Sequence, residues 1–211
     1  MLPTIRSALE QPGNAALFVH LMGSHYRYEY RIEPEFEYYT SEFTYYGHPK
    51  YKQRIVDNYD NTIRYSDYVI GEIINMCGSR DESCIVCYVS DHGEVLLDDG
   101  KSFGHSLAEP LPQEFEVPYF YWASSNFLEE NTPSPLTNSS KRLPKAAHLQ
   151  FICGDIMRVM GWQFADYENL KSNFDDTNYG ERMVVSHNRV LSFDHLKRDY
   201  MKRLNNLDTH G

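Results

Sequence analysis

One apolar run of strand length, Cys84–Val89, is followed directly by the polar sequence Ser-Asp-His-Gly-Glu at residues 90–94. Such a run predicts a buried strand, and in open α/β sheets ligands bind beyond the carboxyl ends of the strands. Asp91 and His92 stand at that end, and both residue types bind Zn²⁺. Gly93 allows the backbone to turn tightly. An Asp-His-Gly turn also occurs without a metal, so this segment alone leaves both interpretations open.

Two further segments place a histidine after apolar and small residues. Ala15–His20 is an apolar run followed by Leu-Met-Gly-Ser-His25, and His105 follows Phe103-Gly104. His20 alone is best interpreted as a hydrogen-bonded core residue. His25 and His105 fall in predicted loops, where polar residues often serve function, although exposed loop histidines are the plain alternative. Convergence of these histidines with Asp91 and His92 would form a metal and phosphate pocket.

Hydrophobic periodicity predicts alternating helices and strands, typical of an α/β sandwich with a largely parallel sheet. Residues 1–211 show no repeat or clear linker, so we expect a single domain. The predicted helices are Leu2–Glu10, Ile55–Cys77, Ala146–Met160 and His195–Asn206. The predicted strands are Ala15–His20, Cys84–Ser90 and Val117–Ser124, with a hairpin of Met183–His187 and Arg189–Phe193.

The charge balance excludes one class of partner. The chain carries 20 basic and 30 acidic residues, a net charge of −10, whereas a nucleic-acid-binding face needs a basic patch. No run approaches the roughly 18 apolar residues of a membrane-spanning helix. Composition therefore indicates a globular domain with no nucleic-acid partner.

The four cysteines do not form a recognisable metal motif. Cys84 and Cys87 are three apart on a predicted strand, so their side chains point to opposite faces. Cys77 and Cys84 flank a polar loop and could pair in an oxidising compartment. Cys153 lies on the apolar face of a predicted helix and is expected to be a small buried hydrophobe.

Taken together, the motifs resemble those of bacterial phosphoethanolamine transferases, within the sulfatase and alkaline phosphatase superfamily. The resemblance runs in family order over residues 15–125. It implies the carboxyl-terminal half of a catalytic domain, an incomplete three-layer α/β/α sandwich with a mostly parallel sheet. The matching pieces are the sequence from His20 to His25, the helix segment Tyr59–Tyr68, Ser90–Glu94, the His105 segment, and Glu116–Pro118 leading to Trp122–Ser124.

The resemblance also implies roles for individual residues. Asp91 and His92 would be zinc ligands, and His25 and His105 would contact the substrate phosphate or a second zinc. The family nucleophile is a threonine upstream of the matching region. We assign no nucleophile, because none of the threonines considered has the matching context: Thr4, Thr40, Thr44 and Thr62. The isolated chain is therefore expected to be inactive or to need a complementing segment.

Partners and location also follow only from the resemblance. The family moves phosphoethanolamine from a phospholipid to lipid A, a core sugar or a glucan, at the periplasmic face of the bacterial inner membrane. Membrane attachment would come from an amino-terminal region that this sequence lacks. Two alternatives stay open: a sulfatase or phosphodiesterase of the same superfamily, although no C-x-P-x-R motif is present, and a non-catalytic remnant or binding module.

Overall fold

A computed structural model describes residues 1–41, 47–131, 148–161, 171–174 and 181–208. These residues form two compact units. The first comprises Met1–Arg80 with Leu96–Gly104, and the second comprises Asp81–Val95 with the described residues from His105 onward. The predicted loop Asn131–Pro144 and the start of the predicted helix at Ala146 lie almost wholly outside the described residues.

The first unit is built on two helices, α1 (Leu2–Leu9) and α2 (Tyr51–Gly78). Both confirm sequence predictions, because their apolar residues recur at the three- and four-residue spacing of a helix face. The side chain of Asn61, which is fully buried on α2, also holds the non-helical segment at residues 38–39 against the helix. Its Oδ1 accepts from the backbone N–H groups of Tyr38 and Tyr39, each at 2.9 Å.

In the second unit, strands β1 (Ile85–Val89) and β4 (Tyr119–Ala123) form an antiparallel pair. Between them in the chain lie the two-residue strands β2 (Val95–Leu96) and β3 (Phe103–Gly104), which pair with each other, and β3 belongs to the first unit. The predicted terminal hairpin is confirmed as β5 (Met183–Ser186) and β6 (Arg189–Ser192), also antiparallel. The helices are α3 (Ser125–Glu130), α4 (Ile152–Val159) and α5 (Phe193–Asp208).

The prediction of a largely parallel sheet is wrong for these strands, since β1–β4 and β5–β6 are both antiparallel. The predicted strand Ala15–His20 is also wrong, because these residues have no regular structure and the side chain of Phe18 is 94% exposed. An apolar run becomes a strand only where another strand completes its backbone hydrogen bonds. No strand of the described chain pairs with residues 15–20.

The buried side of α4 differs from the predicted one. Cys153 is exposed, which corrects its prediction as a buried hydrophobe, whereas Asp155 is fully buried. The Asp155 carboxylate accepts hydrogen bonds from the backbone N–H of Asn173 at 2.7 Å, from its side-chain amide at 2.6 Å, and from the hydroxyls of Ser172 and Tyr119. Four donors offset the cost of burying this carboxylate.

Two of the cysteines are oxidised. Cys77 and Cys84 are each disulfide-bonded, whereas Cys87 and Cys153 are free. Burial raises the pKa of the Cys87 thiol, which keeps that thiol protonated at neutral pH. Among the described residues, no helix is both long and apolar enough to cross a bilayer.

Candidate metal centre

Three side chains of the second unit gather close to the end of β1. His92, Glu94 and His105 each offer a ligand atom, and these atoms lie within 4.8 Å of one another. The two imidazole rings are stacked, with centroids 3.9 Å apart and planes at 34°. The Glu94 side chain is only 5% exposed, and its Oε1 lies 2.6 Å from Nδ1 of His105. A nearly buried carboxylate beside two imidazoles is an arrangement that a divalent cation would stabilise.

The end of β1 shapes the turn that carries the first two of these residues. The backbone N–H of Ser90 still donates to the Pro118 carbonyl at 3.3 Å, and the Ser90 hydroxyl then donates to the His92 carbonyl at 2.8 Å. The backbone N–H of His92 donates to Oδ1 of Asp91 at 3.0 Å. Serine and aspartate commonly complete turns in this way, so the strand passes into a defined loop.

The hydrogen bonding of His92 determines which nitrogen can bind a metal. Its Nδ1 lies 3.0 Å from the Gly93 carbonyl oxygen, which can only accept, so Nδ1 carries a proton. Nε2 is then the nitrogen whose lone pair is available to a metal. Such a backbone contact fixes the ring orientation, as is usual for metal-binding histidines.

Gly93 is required by close packing. A Cβ atom at this position would lie 2.0 Å from the carbonyl oxygen of Gln113, whereas real contacts of this kind are above 3 Å. The Gly93 N–H donates to the Glu114 carbonyl at 2.9 Å. The absence of a side chain at Gly93 therefore allows the backbone between His92 and Glu94 to pack directly against the backbone of residues 113–114.

Glu114 holds the loop that follows His105. The residue is 5% exposed, and its carboxylate accepts from the backbone N–H groups of Leu107 at 3.2 Å and Leu111 at 2.9 Å. Leu111 packs with Val95 and Tyr200 in a small apolar core. These hydrogen bonds to the buried carboxylate thus fix the backbone of the loop that follows His105.

The structure brings together two of the four predicted site residues, His92 and His105. Asp91 borders them, with its Oδ2 3.8 Å from Nε2 of His92, but its side chain is 82% exposed. Glu94 was not predicted as a site residue, although it follows Asp-His-Gly directly, and a carboxylate two residues beyond a histidine could have been considered. The metal-binding role of Asp91 remains a prediction.

His25 belongs to the first unit. Its Nδ1 lies 2.5 Å from the carbonyl oxygen of Tyr26, and the preceding Ser24 hydroxyl is 2.7 Å from Oγ1 of the buried Thr62 on α2. This contact fixes the loop that carries His25 to the helix. The role of His25 as a substrate-contacting residue remains a prediction.

The donor set fits zinc. Two imidazoles and one carboxylate are the ligands of one common class of catalytic zinc site, in which a fourth position stays open. Free thiols, which structural zinc sites prefer, are absent from this cluster. Three protein ligands with an open position would allow an oxygen of a substrate to bind.

Comparison with known families agrees with the motifs. The family model described as Sulfatase matches residues 1–152, most of the chain. The chain belongs to the sulfatase family.

Curated relatives are phosphoethanolamine transferases, in agreement with the motif resemblance. The chain is 30% identical over 117 residues to Kdo(2)-lipid A phosphoethanolamine 7''-transferase of Escherichia coli K12, covering 56% of the chain and 20% of that protein. It is 27% identical over 206 residues to phosphoethanolamine transferase EptC of the same strain, covering 93% of the chain and 35% of that protein. The chain thus spans between a fifth and about a third of the length of these relatives.

A solved structure shares the fold. The C-terminal periplasmic domain of EptC from Escherichia coli, crystallised in complex with Zn, superposes with a TM-score of 0.78 at 21% identity. The match covers 92% of this chain and 56% of that domain. The described residues therefore adopt a substantial part of the fold of that domain.

Proposed function

We propose that this chain supplies the zinc-holding part of a phosphoethanolamine transferase. The observation that carries the proposal is the approach of His92, Glu94 and His105 to within 4.8 Å of one another beside β1. The names of the curated relatives, and the zinc in the related EptC domain, support the same reaction class.

His92 and His105 would hold the metal through imidazole nitrogens, and Glu94 would provide the negative charge that a divalent ion requires. When bound, zinc polarises phosphate oxygens and lowers the pKa of a coordinated hydroxyl. The chain's own residues maintain this geometry, because Gly93 and Glu114 keep the two ligand-bearing loops in contact. His25 would donate a hydrogen bond to the phosphate, as the motif resemblance implies.

The remaining parts of the reaction are proposed on the resemblance alone. The donor is a phospholipid, and the acceptor is a glycolipid or glycan of the envelope, at the periplasmic face of the inner membrane. During the transfer from donor to acceptor, a threonine from outside this sequence is phosphorylated. The complete domain is a three-layer sandwich with a mostly parallel sheet, to which the described residues contribute one part.

Calorimetric titration of the metal-free 211-residue chain with Zn²⁺ tests the metal site. We expect one ion per chain, and His105→Ala should weaken binding by more than about 100-fold because a ligand is lost. His195→Ala, in the same unit but outside the cluster, is the matched control. Equal affinity in His105→Ala and the control would contradict the proposal.

Glu94→Gln determines the role of the carboxylate, and Glu116→Gln is its matched control on the surface of the same unit. A loss above about 100-fold is expected for a direct ligand. A loss of about 10 to 100-fold would instead identify Glu94 as the group that orients His105. Asp91→Asn tests the predicted Asp91 ligand in the same titration.

The reaction class is tested with zinc-loaded chain and three substrates: a phosphatidylethanolamine with lipid A, a phosphodiester and a sulfate ester. Mass spectrometry detects transfer, and released chromophores report hydrolysis. The expectation of inactivity in isolation would be refuted by transfer product. Hydrolysis of either ester without transfer would favour the hydrolase alternative.

A further inference from the structure

The turn of the β5–β6 hairpin has a backbone that only a few residue types adopt readily. His187 and Asn188 connect the strands in two residues, with φ of 47° and 61°. Positive φ at both central positions is the type I′ turn that matches the twist of a hairpin, and histidine and asparagine are among the non-glycine residues that tolerate it. The turn therefore holds the backbone of His187 in a fixed conformation.

This hairpin contacts the metal-site loop from about 80 residues further along the chain. Nε2 of His187 lies 3.2 Å from the carbonyl oxygen of Ser106 and 3.0 Å from that of Leu107. Both partners can only accept, so Nε2 must carry a proton and donate. Arg189 donates from its guanidinium to the next carbonyl, that of Ala108, at 3.3 Å. Three consecutive carbonyls after His105 are thus held by one hairpin.

Glu114 holds the same loop through a backbone N–H group, because its carboxylate accepts a hydrogen bond from the N–H of Leu107. Ser106, immediately after the candidate ligand His105, has a φ of 58°, a left-handed conformation that is uncommon for serine. Such a conformation persists only where surrounding contacts maintain it. The carbonyl of Ser106 itself is one of the two groups that His187 binds.

We propose that His187 is a positioning residue, which fixes the His105 imidazole for metal binding by donating its Nε2–H to the Ser106 and Leu107 carbonyls. The inference rests on the proposed zinc site and assigns to it a support that no local sequence motif indicates. His187 does not bind the metal. It acts through the backbone of the loop that presents His105.

Zinc titration of the full chain carrying His187→Gly tests this role. Glycine adopts the left-handed turn readily, so the hairpin is kept and only the donor is removed. We expect an affinity loss of about 10 to 100-fold, the range for groups that orient a metal ligand. Asn188→Gly is the matched control, because it changes the same turn without removing the donor, and it should bind zinc like the unaltered chain.

Two further measurements separate positioning from a general loss of structure. His187→Gln returns an N–H near the position of Nε2 and should recover affinity relative to His187→Gly. In Co²⁺-loaded chain, His187→Gly should also shift the visible absorption bands, which respond to ligand geometry, while Asn188→Gly should not. Far-UV circular dichroism should show all three variants folded.

The outcomes distinguish this inference from the proposed function. If the unaltered chain binds no zinc, both fail. If it binds zinc, and His187→Gly binds it equally well with an unchanged cobalt spectrum, only the positioning role is overturned. Equal losses in His187→Gly and His187→Gln, with both variants folded, would also overturn it.

Discussion

Ala15–His25 and Cys84–Glu94 share one sequence pattern, an apolar run followed by small or polar residues and a histidine, yet they fold differently. Residues 85–89 form β1, paired over five positions with β4. Residues 15–20 have no regular structure, and the Phe18 side chain is 94% exposed. The same pattern therefore yields a strand in one case and an exposed segment in the other.

The difference teaches what an apolar run does and does not specify. Its side chains favour burial, but its backbone N–H and C=O groups need partners that the run itself cannot provide. The loop after β1 is also fixed by several contacts, through Gly93 and Glu114. For the loop before His25, the contact between Ser24 and Thr62 provides support from α2. Four substitutions test this contrast.

The largest effect is expected for Gly93→Ala. The new Cβ would lie 2.0 Å from a backbone oxygen that cannot move alone, so unfolding free energy should fall by about 3 kcal/mol, with loss of zinc binding. Gly23→Ala is the control in the other segment. Its φ is +49° but its nearest neighbour is 4.0 Å away, so only about 1 kcal/mol of backbone strain is expected. Urea unfolding measures both, and equal costs would contradict the packing argument.

Ile85→Ala tests the packing of the paired strand. Ile85 packs against the buried side chains of Phe127 and Val159, so truncation should cost about 2 kcal/mol of unfolding free energy in urea. The zinc affinity should change far less than in Gly93→Ala, because Ile85 is at the opposite end of β1 from the site. A cost below about 0.5 kcal/mol would show that β1 contributes little to the core.

Thr62→Val tests the support beneath His25. The substitution removes a buried hydroxyl that lies 2.7 Å from Oγ of Ser24 and 2.6 Å from the Tyr59 carbonyl oxygen, and it should cost about 1 kcal/mol. Thr40→Val, at an exposed threonine of the same unit, serves as the control and should be neutral in the same urea experiment. Neutral behaviour of both variants would mean that α2 does not hold the Ser24–His25 loop.

Phe18→Ala should have the smallest effect. An exposed side chain contributes little to folding, so the unfolding free energy should change by less than about 0.5 kcal/mol. Thermal unfolding followed by circular dichroism is sufficient to measure this. A loss near 2 kcal/mol would contradict the contrast with β1, since it would require Phe18 to be buried as a strand residue is.

Periodicity predicted α1, α2 and the terminal hairpin well, because their apolar residues have a regular spacing and their turns contain residues suited to them. It misjudged α4, where the apolar stripe suggested that Cys153 was buried. Asp155 is buried instead, and its donors Ser172 and Asn173 come from a segment nearly twenty residues later. A carboxylate becomes acceptable in a core only when such donors are present.

Only some residues of the candidate site carry a signal in the sequence. His92 and His105 stand beside glycines in recognisable motifs, and the structure brings them together. Glu114 and His187 carry no such signal, since both act through backbone groups of the loop after His105, and His187 reaches that loop from about 80 residues away. Nearly every residue type offers the same backbone N–H and C=O groups, so a hydrogen bond to the main chain does not restrict which residues occur there. Such contacts therefore cannot be recognised from a sequence motif.

The sequence by itself determined the superfamily and most of the helices, because these depend on local residue chemistry and spacing. Tertiary structure alone decided which apolar run became a strand, that β1 and β4 run antiparallel, and that Glu94 joins the histidines. These outcomes depend on which distant groups satisfy each backbone donor and each buried charge, and that choice exists only once the chain has folded.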